Sequence, residues 1–167
     1  IGTLWMAAQA VAEAGWSSVI KRVPEAVSQF VPFAGVLLLI VLFGGSHSLH
    51  WHHIFHWMDP EVMNPESSHY DEIIAGKAAY LNEPFFYLRA VLYVGLWAGF
   101  TWFFSKASLR EDQEGGLGVY KKSIGVGAAF LVFYGITSST AAWDWMMSID
   151  THWFSTLFGW YNFATMW

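Results

Sequence analysis

The sequence predicts an all-α protein, a polytopic transmembrane helical bundle, and three observations support this prediction. Hydrophobic residues make up 55% of the 167 residues, and Asp, Glu, Lys and Arg together make up only 13%, against about 25% in a soluble domain. Aromatic residues reach 19%, with eleven Trp, and Trp and Tyr concentrate where lipid tails meet headgroups. The apolar runs are long and continuous, without the alternation that a membrane β-barrel needs.

Five apolar segments predict the spans of this bundle. Three of them, each about twenty residues long, are long enough to cross about 30 Å of hydrocarbon. They are residues 26–45, 85–104 and 124–142. Residues 1–20 and 152–167 are also apolar, and each predicts a partial span. Because the chain starts without Met and stops inside an apolar run, we expect it to be a fragment of a larger bundle.

The positions of Lys and Arg predict the orientation of the spans. Most basic residues fall in the loops after the first and third spans, which lie on the same side of the membrane by parity. They are Lys21, Arg22, Lys106, Arg110, Lys121 and Lys122. The positive-inside rule places these loops in the cytoplasm. Residues 46–83 are then predicted to form a loop on the outer face.

Charge and cysteine content narrow the classes of function. The net charge is −5 and no basic patch is evident, so we expect no nucleic-acid partner. The apolar composition predicts that membrane lipid surrounds the chain. The chain contains no Cys, which excludes disulfides, Cys-ligated iron–sulfur clusters and thiolate chemistry within it.

Two charged residues interrupt predicted spans. A carboxylate such as Glu13 in an apolar segment costs about 2.5–3.5 kcal/mol to insert into the membrane, so we expect it to face the bundle interior. Desolvation there favours its protonated form, which makes Glu13 a candidate for proton transfer. Alternatively, the first span ends early and Glu13 lies near the interface. Arg89 lies in the first turns of the third span, where its long stem is expected to reach the headgroups.

Two carboxylates and a histidine follow the fourth span. Asp144, Asp150 and His152 are candidates for proton transfer, because His and a desolvated Asp titrate near neutral pH. The alternative is structural: Asp150 caps the next helix, and Asp144 bonds to a neighbouring backbone group.

Histidines cluster in the predicted outer-face loop. His50, His53 and His56 stand three residues apart, so neighbouring imidazoles could share one face of a helix. Neutral imidazole binds Zn, Cu or haem iron, which makes a metal site an alternative. No carboxylate or Cys completes a recognisable metal spacing, so a solvated helix at the interface is the competing interpretation.

A long segment carries a family resemblance. Residues 143–161 read WDWMMSIDTHWFSTLFGWY and are followed by Asn162. This segment resembles a signature in the membrane subunits of alternative complex III, the bacterial quinol:cytochrome c oxidoreductase. Residues 15–25 and 50–57 are similar to the same family, so the resemblance covers residues 15–167.

The resemblance implies a fold, a location and partners. The fold is that of the polysulfide-reductase-type membrane anchors, and the resemblance is greater to the F subunit than to the related quinol-binding subunit. The location is the bacterial inner membrane, with multiple spans. The partners are other membrane and outer-face subunits, which carry multihaem cytochrome c and iron–sulfur clusters; quinol is the ligand implied for the membrane part.

Three functions follow from these observations. The first is a membrane subunit that supports quinol oxidation, proton transfer and assembly of such a complex. The second is a purely structural membrane scaffold without a quinone site of its own. The third is a haem- or metal-binding membrane protein that uses the histidines from His50 to His56.

Overall fold

The fold is all-helical. The computed structural model describes residues 1–44, 54–115 and 117–166, is 76% helix and has no strand in those ranges. The α-helices of the described residues are α1 (Gly2–Val11), α2 (Arg22–Ser28), α3 (Phe30–Gly44), α4 (Pro60–Met63), α5 (Glu72–Ala75), α6 (Glu83–Glu114), α7 (Gly118–Trp145) and α8 (Phe158–Thr165). Short 3-10 helices occupy Gly15–Val19, His56–Met58 and Met147–Ile149. The predicted all-α class is confirmed.

Three helical segments are long and apolar enough to cross a membrane. They are Arg22–Gly44, Glu83–Glu114 and Gly118–Ile149, with 23, 32 and 32 residues. The protein is therefore a multi-pass membrane protein. The first segment is interrupted at Gln29, between α2 and α3. Pro32 explains the interruption, because it cannot donate to the carbonyl of Ser28 and its ring crowds that carbonyl.

The charged segment after the third predicted span is helix rather than loop. Helix α6 runs ten residues beyond residue 104, and α7 already begins at Gly118. The extension is rich in good helix formers, and its Arg110 and Glu114 form an i,i+4 ion pair at 3.0 Å. Gly115 ends α6 with a φ of +64°, a conformation that favours glycine.

The two predicted partial spans form shorter helices than expected. Helix α1 covers ten residues and ends at Val11, and α8 covers eight residues. Neither reaches the roughly twenty residues that cross the hydrocarbon. Helix α1 stops because Glu13 adopts a left-handed backbone conformation.

The chain divides into two compact units. Unit 1 comprises Ile1–Gly35, Val94–Thr137 and Met166, and unit 2 comprises the described residues of Val36–Tyr93 and Ser138–Thr165.

Unit 1 is held together by close helix contacts and buried hydroxyl groups. A Cβ on Gly127 of α7 would lie 3.1 Å from the backbone oxygen of Ala7 in α1, so these two helices approach closely. The buried hydroxyls of Thr3 and Thr101 are 2.7 Å apart. The indole N–H of Trp97 donates to the Thr137 hydroxyl at 3.0 Å. These bonds satisfy polar groups that would be costly to leave unpaired in lipid.

Unit 2 has an aromatic and aliphatic core. Phe55, Trp57 and Phe86 are almost fully buried and contact one another with ring centroids 5.3–6.1 Å apart. The rest of this core is Leu42, Met58, Val62, Ile74, Leu81 and Ala90. Part of the predicted outer-face loop thus folds onto the start of α6 and contributes most of the core.

Much of the apolar surface is exposed within this chain. Phe33, Val36 and Leu37 of α3 are 69%, 56% and 59% exposed. A contiguous apolar helix face of this kind marks contact with lipid or with another helix.

Candidate functional site

A buried ion pair lies at the centre of the candidate site in unit 2. Arg89 of α6 reaches Asp144 of α7 with two parallel hydrogen bonds. Its Nε donates to Oδ2 at 2.7 Å, and its Nη2 donates to Oδ1 at 2.9 Å. The two side chains are 9% and 0% exposed. Two-point contact of this kind is the strongest geometry that an arginine and a carboxylate can form.

Aromatic rings enclose the guanidinium group of Arg89. The rings of Tyr80 and Phe85 each lie with their centroids 4.1 Å from its central carbon. The backbone oxygen of Tyr80 accepts from Nη1 and Nη2 at 3.3 Å. These contacts offset part of the cost of removing two charges from water, which is several kcal/mol per ion.

This arrangement corrects the expectation for Arg89. The sequence predicted that its stem reaches the headgroups, whereas the guanidinium group is buried against Asp144. The physical reason is that a buried carboxylate needs a partner, and ionisable groups inside membrane helices pair with one another. Asp144 is thus the partner of a cation, rather than of the neighbouring backbone N–H groups that the structural alternative proposed.

Tyr80 connects the ion pair to its surroundings. Burial raises the pKa of the Tyr80 hydroxyl far above its usual value, and the nearby carboxylate of Asp144 raises it further. The hydroxyl therefore stays protonated throughout the physiological range. It is hydrogen-bonded to the Asp144 carboxylate, so its oxygen is the atom that remains for a further partner.

A cavity of about 350 Å³ adjoins this group within unit 2, and we call it the unit 2 cavity. Six of its eleven lining residues come from residues 143–154, and the other five from residues 76–81. The lining residues are Gly76, Lys77, Ala79, Tyr80, Leu81, Trp143, Met147, Ser148, Thr151, Trp153 and Phe154. The Lys77 ammonium donates to the backbone oxygen of Thr151 and so ties the two walls together.

One wall of the unit 2 cavity carries an unsatisfied donor. The Nε1 of Trp143 is buried and has no hydrogen-bond partner among the described residues. A buried N–H without an acceptor costs about 1–3 kcal/mol. Water, a ligand or a neighbouring chain can supply the missing acceptor.

His152 forms a second polar group with two carboxylates. Its Nε2 is 2.6 Å from Oδ2 of Asp71, and its Nδ1 is 4.0 Å from Oδ1 of Asp150. Its backbone N–H also donates to Asp150 at 3.2 Å. His152 is half exposed and does not line the unit 2 cavity.

Asp71 is the member of this group that sequence reasoning did not identify. It caps α5 by accepting from the backbone N–H groups of Ile73 and Ile74, at 2.9 and 3.2 Å. The N–H of Ile74 lowers the pKa of Asp71 most, and His152 lowers it further. An Asp before an apolar turn is a recognisable cap signal, but nothing local predicts its contact with a residue 81 positions away.

The low pKa of Asp71 predicts an acid-sensitive contact. Since folding lowers this pKa below its ordinary value of 3.8, the stabilisation is fully present above that value and is lost as the pH falls through the lowered pKa. We expect the protection of the Ile73 and Ile74 amides against hydrogen exchange, corrected for intrinsic exchange rates, to decline as the pH falls through the lowered pKa of Asp71. Asp71→Asn keeps a capping side chain but cannot titrate, so its protection should not vary with pH.

Hydrogen exchange on the wild type, Asp71→Asn and the control Asp59→Asn tests this expectation. Asp59 caps α4 through the N–H of Glu61 at 2.9 Å, and its replacement should leave the pH dependence at Ile73 unchanged. If protection at Ile73 and Ile74 declined equally in the wild type and in Asp71→Asn, Asp71 would not be the cause of the acid sensitivity.

No protein-family model matches this chain, and no curated protein is significantly similar to it.

Glu13 has a structural place in unit 1. It is exposed, and its φ of +50° makes it a residue other than glycine in the left-handed region. Its N–H donates to Ala10 O at 3.2 Å, while the N–H of Ala14 donates to Gln9 O at 3.0 Å. These two bonds form a Schellman motif that ends α1. The first helix therefore ends early, as the alternative interpretation of Glu13 stated. A role of Glu13 in proton transfer stays a prediction.

The histidine alternative falls mostly outside the described residues. His50 and His53 lie outside them, and His56 is exposed at the start of a 3-10 helix. Within residues 1–44, 54–115 and 117–166, no three His, Asp or Glu side chains are arranged to hold a metal ion.

Proposed function

We propose that this chain is a membrane subunit of a bacterial respiratory quinol:cytochrome c oxidoreductase of the alternative complex III family. One observation carries the proposal. The segment that bears the family resemblance, residues 143–161, supplies six of the eleven residues that line the unit 2 cavity. The longest segment of the resemblance thus forms one wall of a cavity in unit 2 that is large enough for a small ligand.

The shape and chemistry of the cavity suit a quinol headgroup. A quinol ring is flat and apolar on its faces, with one hydroxyl at each end. Trp143, Trp153 and Phe154 offer aromatic faces to the ring. The Tyr80 hydroxyl is hydrogen-bonded to Asp144, and its oxygen is an acceptor for a quinol O–H. A volume of about 350 Å³ lies within the roughly 300–1,000 Å³ of small-molecule sites.

Oxidation of a quinol to a quinone releases two electrons and two protons. In this proposal the electrons leave through haem c and iron–sulfur clusters of partner subunits, since this chain has no Cys to bind such clusters. The protons leave through carboxylates and imidazole of this chain. Asp144, beside Tyr80, and His152, between Asp71 and Asp150, are the proton acceptors of residues 143–161.

One observation favours a scaffold without its own quinone site. No carboxylate or imidazole of the described residues lines the unit 2 cavity, so proton release needs Tyr80 or a water molecule as an intermediary. In that case the cavity would receive a side chain of a partner subunit.

A cavity-filling variant distinguishes quinol binding from a scaffold role. Ala79 lines the unit 2 cavity and is exposed, so Ala79→Phe fills the space with little effect on packing. In the purified complex we expect KM for quinol to rise about tenfold, the loss of about 1.4 kcal/mol of binding. Steady-state quinol:cytochrome c turnover is the measurement.

Ala129→Phe is the matched control. Ala129 is an exposed residue of α7 and lies outside the unit 2 cavity, so its variant should keep the wild-type KM. Both complexes should contain all subunits. A fully assembled Ala79→Phe complex with the wild-type KM would support the scaffold instead.

A further inference from the structure

Unit 1 contains a cavity of about 370 Å³, which we call the unit 1 cavity. One part of its wall is charged and consists of Lys21, Glu25 and Glu111. Another part is apolar or aromatic and includes Trp5 and Phe104. A cavity with this division fits a molecule that has a charged head and an apolar body.

The unit 1 cavity lies where membrane spans end. Lys21 immediately precedes the candidate span Arg22–Gly44, and Glu111 is three residues from the end of Glu83–Glu114. Tyr120, another lining residue, lies at the start of Gly118–Ile149. Helix ends with charged and aromatic residues occupy the headgroup level of a bilayer. The charged part of the wall is therefore at the level of lipid headgroups.

The ion pairs around the cavity leave a surplus of negative charge. Lys21 is 2.6 Å from Asp112 and 3.5 Å from Glu111. Arg22 is 2.5 Å from Glu25 and also bonds to Asp112. This network holds three carboxylates against two cations, and two of the carboxylates but only one cation line the cavity. The wall thus attracts a cationic group.

The oxygen atoms of the wall identify the cation as a hydrogen-bond donor. Ser108 is one of the lining residues, and its hydroxyl oxygen is buried without a hydrogen-bond partner among the described residues. Aromatic faces such as those of Trp5 and Tyr120 also stabilise ammonium groups. Because carboxylate and hydroxyl oxygens accept N–H bonds, a primary ammonium fits this wall better than a quaternary one.

Lys21 remains available for an anionic group. Burial acts to lower the pKa of the Lys21 ammonium, but its hydrogen bond to Asp112 and the charge of Glu111 outweigh burial and raise that pKa overall. Lys21 is therefore charged at physiological pH. An ammonium group has three donors, so Lys21 can contact a phosphate oxygen as well as its carboxylate partners.

We propose that the unit 1 cavity binds the headgroup of phosphatidylethanolamine, with the ammonium at Glu25 and Glu111, the phosphate at Lys21 and the acyl chains along Trp5 and Phe104. The ligand is a lipid rather than a soluble amine, because the charged wall lies at headgroup level and continues into an apolar wall.

Native mass spectrometry of the full-length protein, purified with its partners and exchanged into defined lipids, tests this site. We expect one phosphatidylethanolamine to be retained at least tenfold more tightly than phosphatidylcholine, which has the same phosphate but no N–H donors. Glu111→Gln and Glu25→Gln should each reduce this selectivity at least fivefold. Glu114→Gln is the control, because Glu114 is exposed, pairs with Arg110 and does not line the cavity.

The outcomes separate the sources of the headgroup. Soluble phosphoethanolamine should not displace the lipid at concentrations where the lipid itself does. Equal retention of the two lipids, full selectivity in both Glu variants, or displacement by phosphoethanolamine at matched concentration would each overturn the proposal. If Glu25→Gln fails to fold, Glu111→Gln decides the result, since Glu111 is partly exposed and its loss leaves the Lys21–Asp112 bond intact.

Discussion

Replacing Arg89 by Met should lower the free energy of unfolding by about 3–5 kcal/mol, because it leaves the Asp144 carboxylate buried without its partner. Asp144→Leu should cost a similar amount by isolating the guanidinium group. Both residues lie in unit 2, and their side chains are at most 9% exposed, so solvent cannot replace either partner. Unfolding in mixed detergent micelles, followed by circular dichroism, measures the effect.

The double variant separates pairing from packing. Arg89→Met with Asp144→Leu should be more stable than either single variant, since it removes both charges and leaves no unpaired ion. Arg110→Met is the control on the same helix. Its pair with Glu114 is more than half exposed, so the change should be about 0.5 kcal/mol or less. If Arg89→Met unfolded like the wild type, the ion pair would not be a structural element of unit 2.

Gly159→Ala is expected to destabilise unit 2 by about 1–3 kcal/mol through overpacking. A Cβ at this position would lie 2.9 Å from the Cβ and Oγ of Ser139 and 3.0 Å from its Cα. Because one of these atoms is backbone, helix α8 has to move away from α7. Thermal retention of the detergent-solubilised protein gives the change.

Gly95→Ala is the matched control for this prediction. Nothing lies within 4 Å of a Cβ at Gly95, so the change adds helix propensity without a clash. Its stability should equal or exceed that of the wild type, by up to about 1 kcal/mol. A Gly159→Ala protein as stable as Gly95→Ala would show that α8 does not pack closely on α7.

The apolar runs identified the parts of the chain that cross the lipid, but not the full helices. Runs near residues 26, 85 and 124 lie within the three long segments because burial in lipid requires continuous apolar sequence. Hydropathy did not predict that α6 continues through residues 105–114. Charged residues indicate that the chain leaves the hydrocarbon there, and a charged segment with an i,i+4 ion pair remains helical at the headgroup level.

The candidate site was predictable only in part. Asp144 and Arg89 were both visible as charges in or beside spans, and pairing within the membrane is the general rule that connects them across 55 residues. The contact between Asp71 and His152 has no local signal. The spacing of Gly95 and Gly99 is typical of helices that approach closely, yet both glycines face open space, whereas Gly127 and Gly159 make the contacts. A glycine pair permits close approach only where another helix faces it.

Photolabelling with an azido-quinone tests the proposed quinol site most directly. Irradiation of the intact complex, followed by peptide mass spectrometry, should place the label within residues 143–154 and 76–81, which line the unit 2 cavity. Excess native quinol should abolish this labelling. If the label were found on another subunit and was removed by excess native quinol, while both segments of this chain stayed unlabelled, the account would be contradicted.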